Sequence, residues 1–312
     1  RVAPAEAIAY PSRVPSAVAP PHRAAVGGAA LRLLLLTAGL AEAGCAVDEL
    51  GVLGAGGFGE DDGGGPGQGD QDASGLIVPE RGPYHVYLFD EGAGDTVRDR
   101  AGRGDPLDLV IDDPAQVVWT DTGALRIVGP ARLTSDRAPL DLLDAAEVTD
   151  ALSVEAWVVP SEGVVTGTHR IVSVSETPQE RNFTLGQGDR EARGPTGAFT
   201  FRLRTTGTGN NGLPAATSGD DLVAAGRLTH LVGVRDRERQ ETLLYVDGSV
   251  RARNERRGAL DVFDRRYPLV MGDELEVDGD ERAWLGELHH VALWARALSP
   301  DEVAARFARG PD

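Results

Sequence analysis

From Tyr84 onward the sequence consists of short apolar or alternating runs separated by Gly, Pro and Asp, and this punctuation limits the chain to a small set of folds. The runs are Tyr84 to Phe89, Leu107 to Ile111, Ala124 to Val128, Leu152 to Val159, Ile171 to Val174, Phe199 to Arg204, Leu228 to Val234, Thr242 to Val246, Leu269 to Gly272 and Trp284 to Trp294. Parallel strands need long crossovers, usually helical. No amphipathic helix is read between these runs, so the expectation is all-β: two antiparallel sheets packed as a sandwich.

Two runs carry the argument in detail. In LSVEAWVVP, Leu152, Val154, Ala156 and Val158 alternate with Ser153, Glu155, Trp157 and Val159, which predicts a half-buried strand with one apolar face. In TLLYVDGSVRAR, Asp247-Gly248 supplies the positive φ angles of a two-residue hairpin. The chain closes with LSPDEVAARFARG, where Ser299 can cap a short C-terminal helix that begins with Pro300, Asp301 and Glu302. Val303 and Phe307, four residues apart, would dock that helix on the sandwich. Trp157 and Trp294 are read as large core residues on central strands, and His230 as a packed, hydrogen-bonded histidine.

The net charge of −18, from 49 acidic and 31 basic residues, argues against nucleic acid, and no basic stripe that could neutralise phosphates stands in the sequence. Every basic residue is Arg. With one cysteine, Cys45, no intrachain disulfide can form.

Residues 1–45 read as an export region: Arg32, a short apolar run LLLLTAGLA, then small residues and Cys45. The apolar run is too short to span a bilayer. LAEAGC resembles a bacterial lipobox, although Glu42 stands where an apolar residue is usual, so lipid attachment at Cys45 and a plain secretory signal both stay open. Acylation would make the lipid the only membrane contact. Residues 46–78 form a Gly/Asp-rich linker, with seven acids and no base between Ala46 and Gly75, expected to be disordered. Residues 79–312 are the folded domain, and the expected location is exported, in the cell envelope or outside the cell.

Six phrases then stand in a recognisable order: YLFDEGAGDTVRDRAG, LSVEAWVVP, RIVSVSETPQERNFTLGQ, GRLTHLVGVRD, LLYVDG and WLGELHHVALWARALSPDEV. Together they resemble the laminin-G-like, concanavalin A-like jelly-roll domains of bacterial surface proteins. The resemblance implies a binding module for carbohydrate or a protein partner, with polar loops such as Arg204 to Gly219 as the contact surface. It also implies a structural calcium ion held partly by an acid on the last strand. Here His289 replaces that acid, which leaves Asp90, Glu91 and Asp99 as the oxygen donors near the first strand.

The same architecture carries glycoside hydrolases, and Glu276, Asp278 and Glu281 match the ExDxxE spacing of family-16-type β-glucanases. Their setting, a DGDE turn without nearby aromatic platforms, speaks for a chance match. His289 and His290, as strand neighbours, are expected to point to opposite faces and not to chelate one ion. No GxSxG or HExxH occurs. The expectation is a non-catalytic module, with a glycan-active hydrolase as the alternative.

Overall fold

The computed structural model describes residues 82–192, 194–275 and 283–311, all within the unit Gly65–Asp312. Cys45, the export region and the linker lie outside the described residues, as do Glu276, Asp278 and Glu281.

In chain order the strands are β1 (His85–Tyr87), β2 (Thr96–Val97), β3 (Leu109–Ile111), β4 (Val117–Thr120), β5 (Ala124–Ile127), β6 (Leu133–Ser135), β7 (Leu152–Pro160) and β8 (His169–Thr177). They continue as β9 (Glu180–Gln187), β10 (Phe199–Leu203), β11 (Ala216–Thr217), β12 (Thr229–Asp236), β13 (Glu241–Val246), β14 (Ser249–Glu255), β15 (Leu269–Met271) and β16 (Gly286–Trp294). Two α-helices, α1 (Leu140–Thr149) and α2 (Pro300–Arg309), and a short 3-10 turn at Pro114–Gln116 complete the set among the described residues.

One sheet runs β14-β13-β12-β7-β16-β5-β4, with β1 also paired to β16; the other runs β11-β10-β9-β8-β15-β6-β3-β2. Every pairing between these strands is antiparallel. The sheets bury a shared core that includes Leu152, Val154, Ala156 and Val158 from β7 and Phe183, Phe199 and Phe201 from the second sheet. At Gly233 they come so close that an added Cβ would lie 2.5 Å from the Phe201 ring. A side chain there would overpack the centre of the sandwich.

The hairpin forms as the sequence predicts. Val246 pairs with Ser249 across Asp247 (φ 51°) and Gly248 (φ 73°). Ser299 accepts from Glu302 N–H while the Glu302 side chain returns to Ser299 N–H, a reciprocal cap with Pro300 in the first turn.

Three expectations need correction. First, a helix does interrupt the strands: α1 buries Leu142, Leu143 and Ala146 and ends at Asp150 in the left-handed region. Exposed Leu140 and Val148 on the same helix blur its apolar period, which hid it from a reading of periodicity.

Second, β7 is buried on both faces, because α2 covers Glu155 and Trp157 and the segment leading into it, through Arg296 and Leu298, covers Ser153. Third, Trp157 and Trp294 are buried as expected but do not lie between the sheets. Trp294 joins a separate cluster with Val232, Val234, Tyr245, Ala292, Leu298 and Val303, on the outer face of the first sheet. Trp157 stacks on His230 and on Phe307 of α2, with ring centroids 4.6 and 6.0 Å away. Side-chain alternation decides this, since Trp157 shares the row of Ser153 and Glu155 rather than that of Val154 and Ala156. The indole within the main core is Trp284, which donates to Gln187 Oε1 at 2.9 Å.

Candidate functional site

The acids near the first strand are held by nitrogen donors. Asp99 Oδ2 meets His85 Nδ1 at 2.7 Å and Leu107 N–H at 3.2 Å, and its Oδ1 accepts from Val86 and Ala101 N–H. Asp90 pairs with Arg100 at 3.0 Å, and Glu91 Oε1 accepts Arg98 N–H at 2.9 Å. Calcium needs six or more oxygens turned inward. Asp99, with both oxygens spent on N–H groups, does not suit that role, and the three acids do not converge on one point. No group of three or more His, Cys, Asp or Glu among the described residues is arranged to hold a metal ion.

Asp99 instead builds a charge clasp with His85, whose Nε2 lies 3.2 Å from Asp141 of α1. Burial works to lower the His85 imidazole, but Asp141 and Asp99 outweigh it and hold the group above its ordinary 6.5. A histidine with a raised folded value stabilises fully below its unfolded value, and the contribution fades as pH rises through the folded one. Thermal melts of wild type and His85→Gln are therefore expected to differ most at pH 5.5 to 6 and to converge toward pH 9. A constant gap across that range would refute the clasp.

The outer face of the second sheet carries a polar network that sequence reading did not single out. Cross-strand register aligns Arg202, Thr184, Ser173 and Val270 on one face. Arg170 Nε and Nη2 reach Glu274 Oε2 at 2.8 and 2.7 Å, and Ser175 donates to Glu274 Oε1 at 2.5 Å. Arg181 donates to Thr184, which meets Ser173 at 2.6 Å, while Arg202 reaches Thr168 and Asn211. The signal available in the sequence was the alternation of Arg, Ser and Thr with apolar residues in β8 to β10. Beside the network, burial pushes the Asp273 carboxyl up to about 6. None of Arg170, Arg181, Arg202 or Glu274 is more than 1% exposed, so the network braces the sheet rather than presenting an acid/base pair to a substrate.

The polar loop after β10 is likewise tied down. It contains β11, Asn210 O accepts Arg181 N–H, and Thr206 bonds Ala259 in both directions. His289 and His290 do not follow simple alternation. A bulge shifts the register between Leu288 and His290, leaving His289 3.1 Å from Glu287 and His290 3.8 Å from Glu155. The two histidines thus lie nearest different carboxylates, and His290 shares Glu155 with His230 and Arg306. His230 is fully buried, with Nε2 2.8 Å from Glu155 Oε1, as a packed histidine should be.

An open cleft of about 1020 Å³ lies between the end of α1, the β12–β13 turn and the start of α2. Val148, Leu243, Tyr245, Leu298 and Pro300 give it apolar walls. Its rim holds two ion pairs, Asp236–Arg239 at 2.6 Å and Glu241–Arg253 at 2.7 Å. Arg237 and Glu238, at the tip of the turn, are exposed. The volume is at the upper end of the range for small-molecule sites, and walls of this mixed character suit a ligand with an apolar face and polar edges.

The fold and the sequence agree on kinship. Residues 135–304, more than half of the chain, match the family described as the concanavalin A-like lectin/glucanases superfamily. The chain belongs to that superfamily. No curated protein matches it. Among solved structures, the binding domain of botulinum neurotoxin DC in complex with rat synaptotagmin II superposes with a TM-score of 0.55 at 9% identity, over 73% of this chain and 52% of that one. A structure of botulinum neurotoxin type C, whose cell entry depends on interaction with two ganglioside molecules, gives 0.54 at 8% identity over 73% and 51%. Trypanosoma rangeli sialidase in complex with a difluorinated nononic acid gives 0.50 at 17% identity over 75% and 33%. This superfamily member spans about half of the neurotoxin chains and a third of the sialidase, and identities this low establish shared fold alone.

Proposed function

We propose that the chain is a non-catalytic binding module that recognises carbohydrate through the cleft beside the β12–β13 turn. The observation that carries this reading is the cleft itself: apolar walls under a charged rim, matching a sugar ring that offers C–H groups on one face and hydroxyls at its edge. The neurotoxin neighbour named for gangliosides and the sialidase put glycans first among ligand classes, and the synaptotagmin complex keeps a protein partner second. The reading includes export, with Cys45 as the lipid attachment site. Mass spectrometry of the mature N-terminus from native cells tests that part separately.

The ligand test is a printed panel of neutral, uronic-acid-containing and sialylated glycans. Val148 is 77% exposed on the cleft wall, so Val148→Glu adds a charge there without burying it. The expected result is retention of at least one glycan class, weakened about tenfold or more by Val148→Glu at an unchanged melting temperature; tenfold corresponds to about 1.4 kcal/mol. Binding that is absent, or indifferent to this substitution, would remove the cleft from consideration. Release of reducing sugar from the same glycans, abolished by Glu276→Gln together with Glu281→Gln, would replace the reading with a hydrolase.

A further inference from the structure

A further cluster of buried titratable groups, apart from the cleft, the His85 clasp and the network of the second sheet, lies beneath α2. Glu155 from β7, His230 from β12 and His290 from β16 are each at most 5% exposed, and α2 contributes Arg306 and Arg309 from above. Glu155 is the only carboxylate facing this cluster among the described residues, and both its oxygens are committed. Oε1 meets His230 Nε2 at 2.8 Å, and Oε2 accepts Arg306 Nε at 2.7 Å. His290 Nε2 stands 3.8 Å from Oε2, too far for a hydrogen bond to that carboxylate, and the backbone of Pro311 is the other acceptor beside the ring. The gap lined by Glu155, His290, Arg306, Arg309 and Gly310 is about 10 Å³, room for one water at most.

We infer that this arrangement is an acid-sensitive latch, in which protonation of His290 loosens α2 and uncovers the aromatic face of the first sheet. A proton on His290 places a second cation beside Arg306 with no unclaimed carboxylate oxygen to receive it. Release of α2 returns the imidazole to water. The helix gives up the Phe307 stack on Trp157, the Arg306 guanidinium 4.5 Å over the Trp294 ring and the buried Val303 side chain. The face left behind is the apolar cluster of Val232, Val234, Tyr245 and Trp294.

The direction of the pH effect follows from the charges. Burial, with Arg306 and His230 beside it, holds the His290 imidazole below its ordinary 6.5, and Glu155 and the Pro311 backbone offset this only in part, so the docked state binds fewer protons than the released one. Docking is thus weakened as pH falls below the free-imidazole value. Burial tends to raise Glu155, but the His230 hydrogen bond and Arg306 keep it lowered, so its protonation loosens the same contact in more acidic solution.

The test is amide hydrogen exchange on the full chain at pH 7.5 and 5.5, expressed as protection factors. One imidazole that goes from buried and neutral to free in water accounts for a loss of up to about tenfold over that interval. The expected result is a fall approaching that value in α2, unchanged protection in the central strands β7 and β12, and no fall in His290→Gln. Equal α2 protection at both pH values, or the same fall in His290→Gln, overturns the inference. If His290→Gln does not fold, proton NMR of the wild type decides. A His290 resonance that titrates in step with loss of α2 protection supports the latch, and one that titrates while α2 stays protected overturns it.

Discussion

Asp150→Ala is expected to destabilise the domain by about 3–5 kcal/mol, the range for removing one partner of a buried charge pair. Arg235 on β12 is completely buried, and its guanidinium reaches Asp150 Oδ2 at 3.1 Å, Gly258 O at 2.8 Å and Arg256 O. Asp150 also accepts Leu260 N–H at 3.1 Å and ends α1 with a left-handed φ of 48°. Its removal strands the Arg235 charge, leaves a buried N–H unpaired and places alanine in a conformation that asparagine or glycine tolerates better. Asp150→Asn keeps the cap and the Leu260 bond but not the charge, so it should recover part of the loss. Denaturant unfolding of the three proteins at pH 7 checks this. A loss below about 1 kcal/mol for Asp150→Ala would mean that Arg235 finds its compensation elsewhere.

Residues such as Asp150 and Arg235 show where legibility in the sequence ends. The sandwich itself was legible, because alternation in β7, the apolar run of β12 and the Asp247-Gly248 turn are local signals with one structural solution. The reciprocal cap at Ser299 was legible for the same reason. Arg235 was not, since an arginine in VGVRD reads as a strand end in water, and only the meeting of α1, β12 and the segment after β14 turns it into a buried hub. Arg170, Arg181 and Arg202 were missed likewise. Glu274, which pairs with Arg170 and Arg181, lies 104 positions beyond Arg170, a separation no local pattern reports.

The candidate site divides along the same line. Asp90, Glu91 and Asp99 were picked out by residue type, which says that oxygen is present but not whether it is already spent. Four nitrogens claim Asp99. The cleft could not be foreseen, because its walls come from α1, β13 and the approach to α2, and α1 was not read as a helix.

Trp157→Ala is expected to cost about 3–5 kcal/mol at neutral pH, the range for emptying a large aromatic site, with the damage concentrated on α2. Trp157 is 5% exposed and packs on both His230 and Phe307, which also stack on each other with centroids 6.0 Å apart, and it lies opposite His230 and His290 in the strand register. Its removal takes away the floor on which Phe307 rests. Because Phe307 is 39% exposed, Phe307→Ala alone should cost much less than Trp157→Ala. A double-mutant cycle between the two should show a coupling of about 0.5–1.5 kcal/mol, as for stacked aromatic pairs. Trp284→Ala is the contrasting control, since that indole lies in the main core and its loss should weaken both sheets together. Hydrogen exchange separates the cases. In Trp157→Ala, α2 amides lose protection well before those of β8 and β9, whereas in Trp284→Ala they fall in parallel. Zero coupling between Trp157 and Phe307 would mean that Val303 and the Arg306–Glu155 pair hold α2 without the stack. The outer aromatic row would then serve the sheet and not the helix.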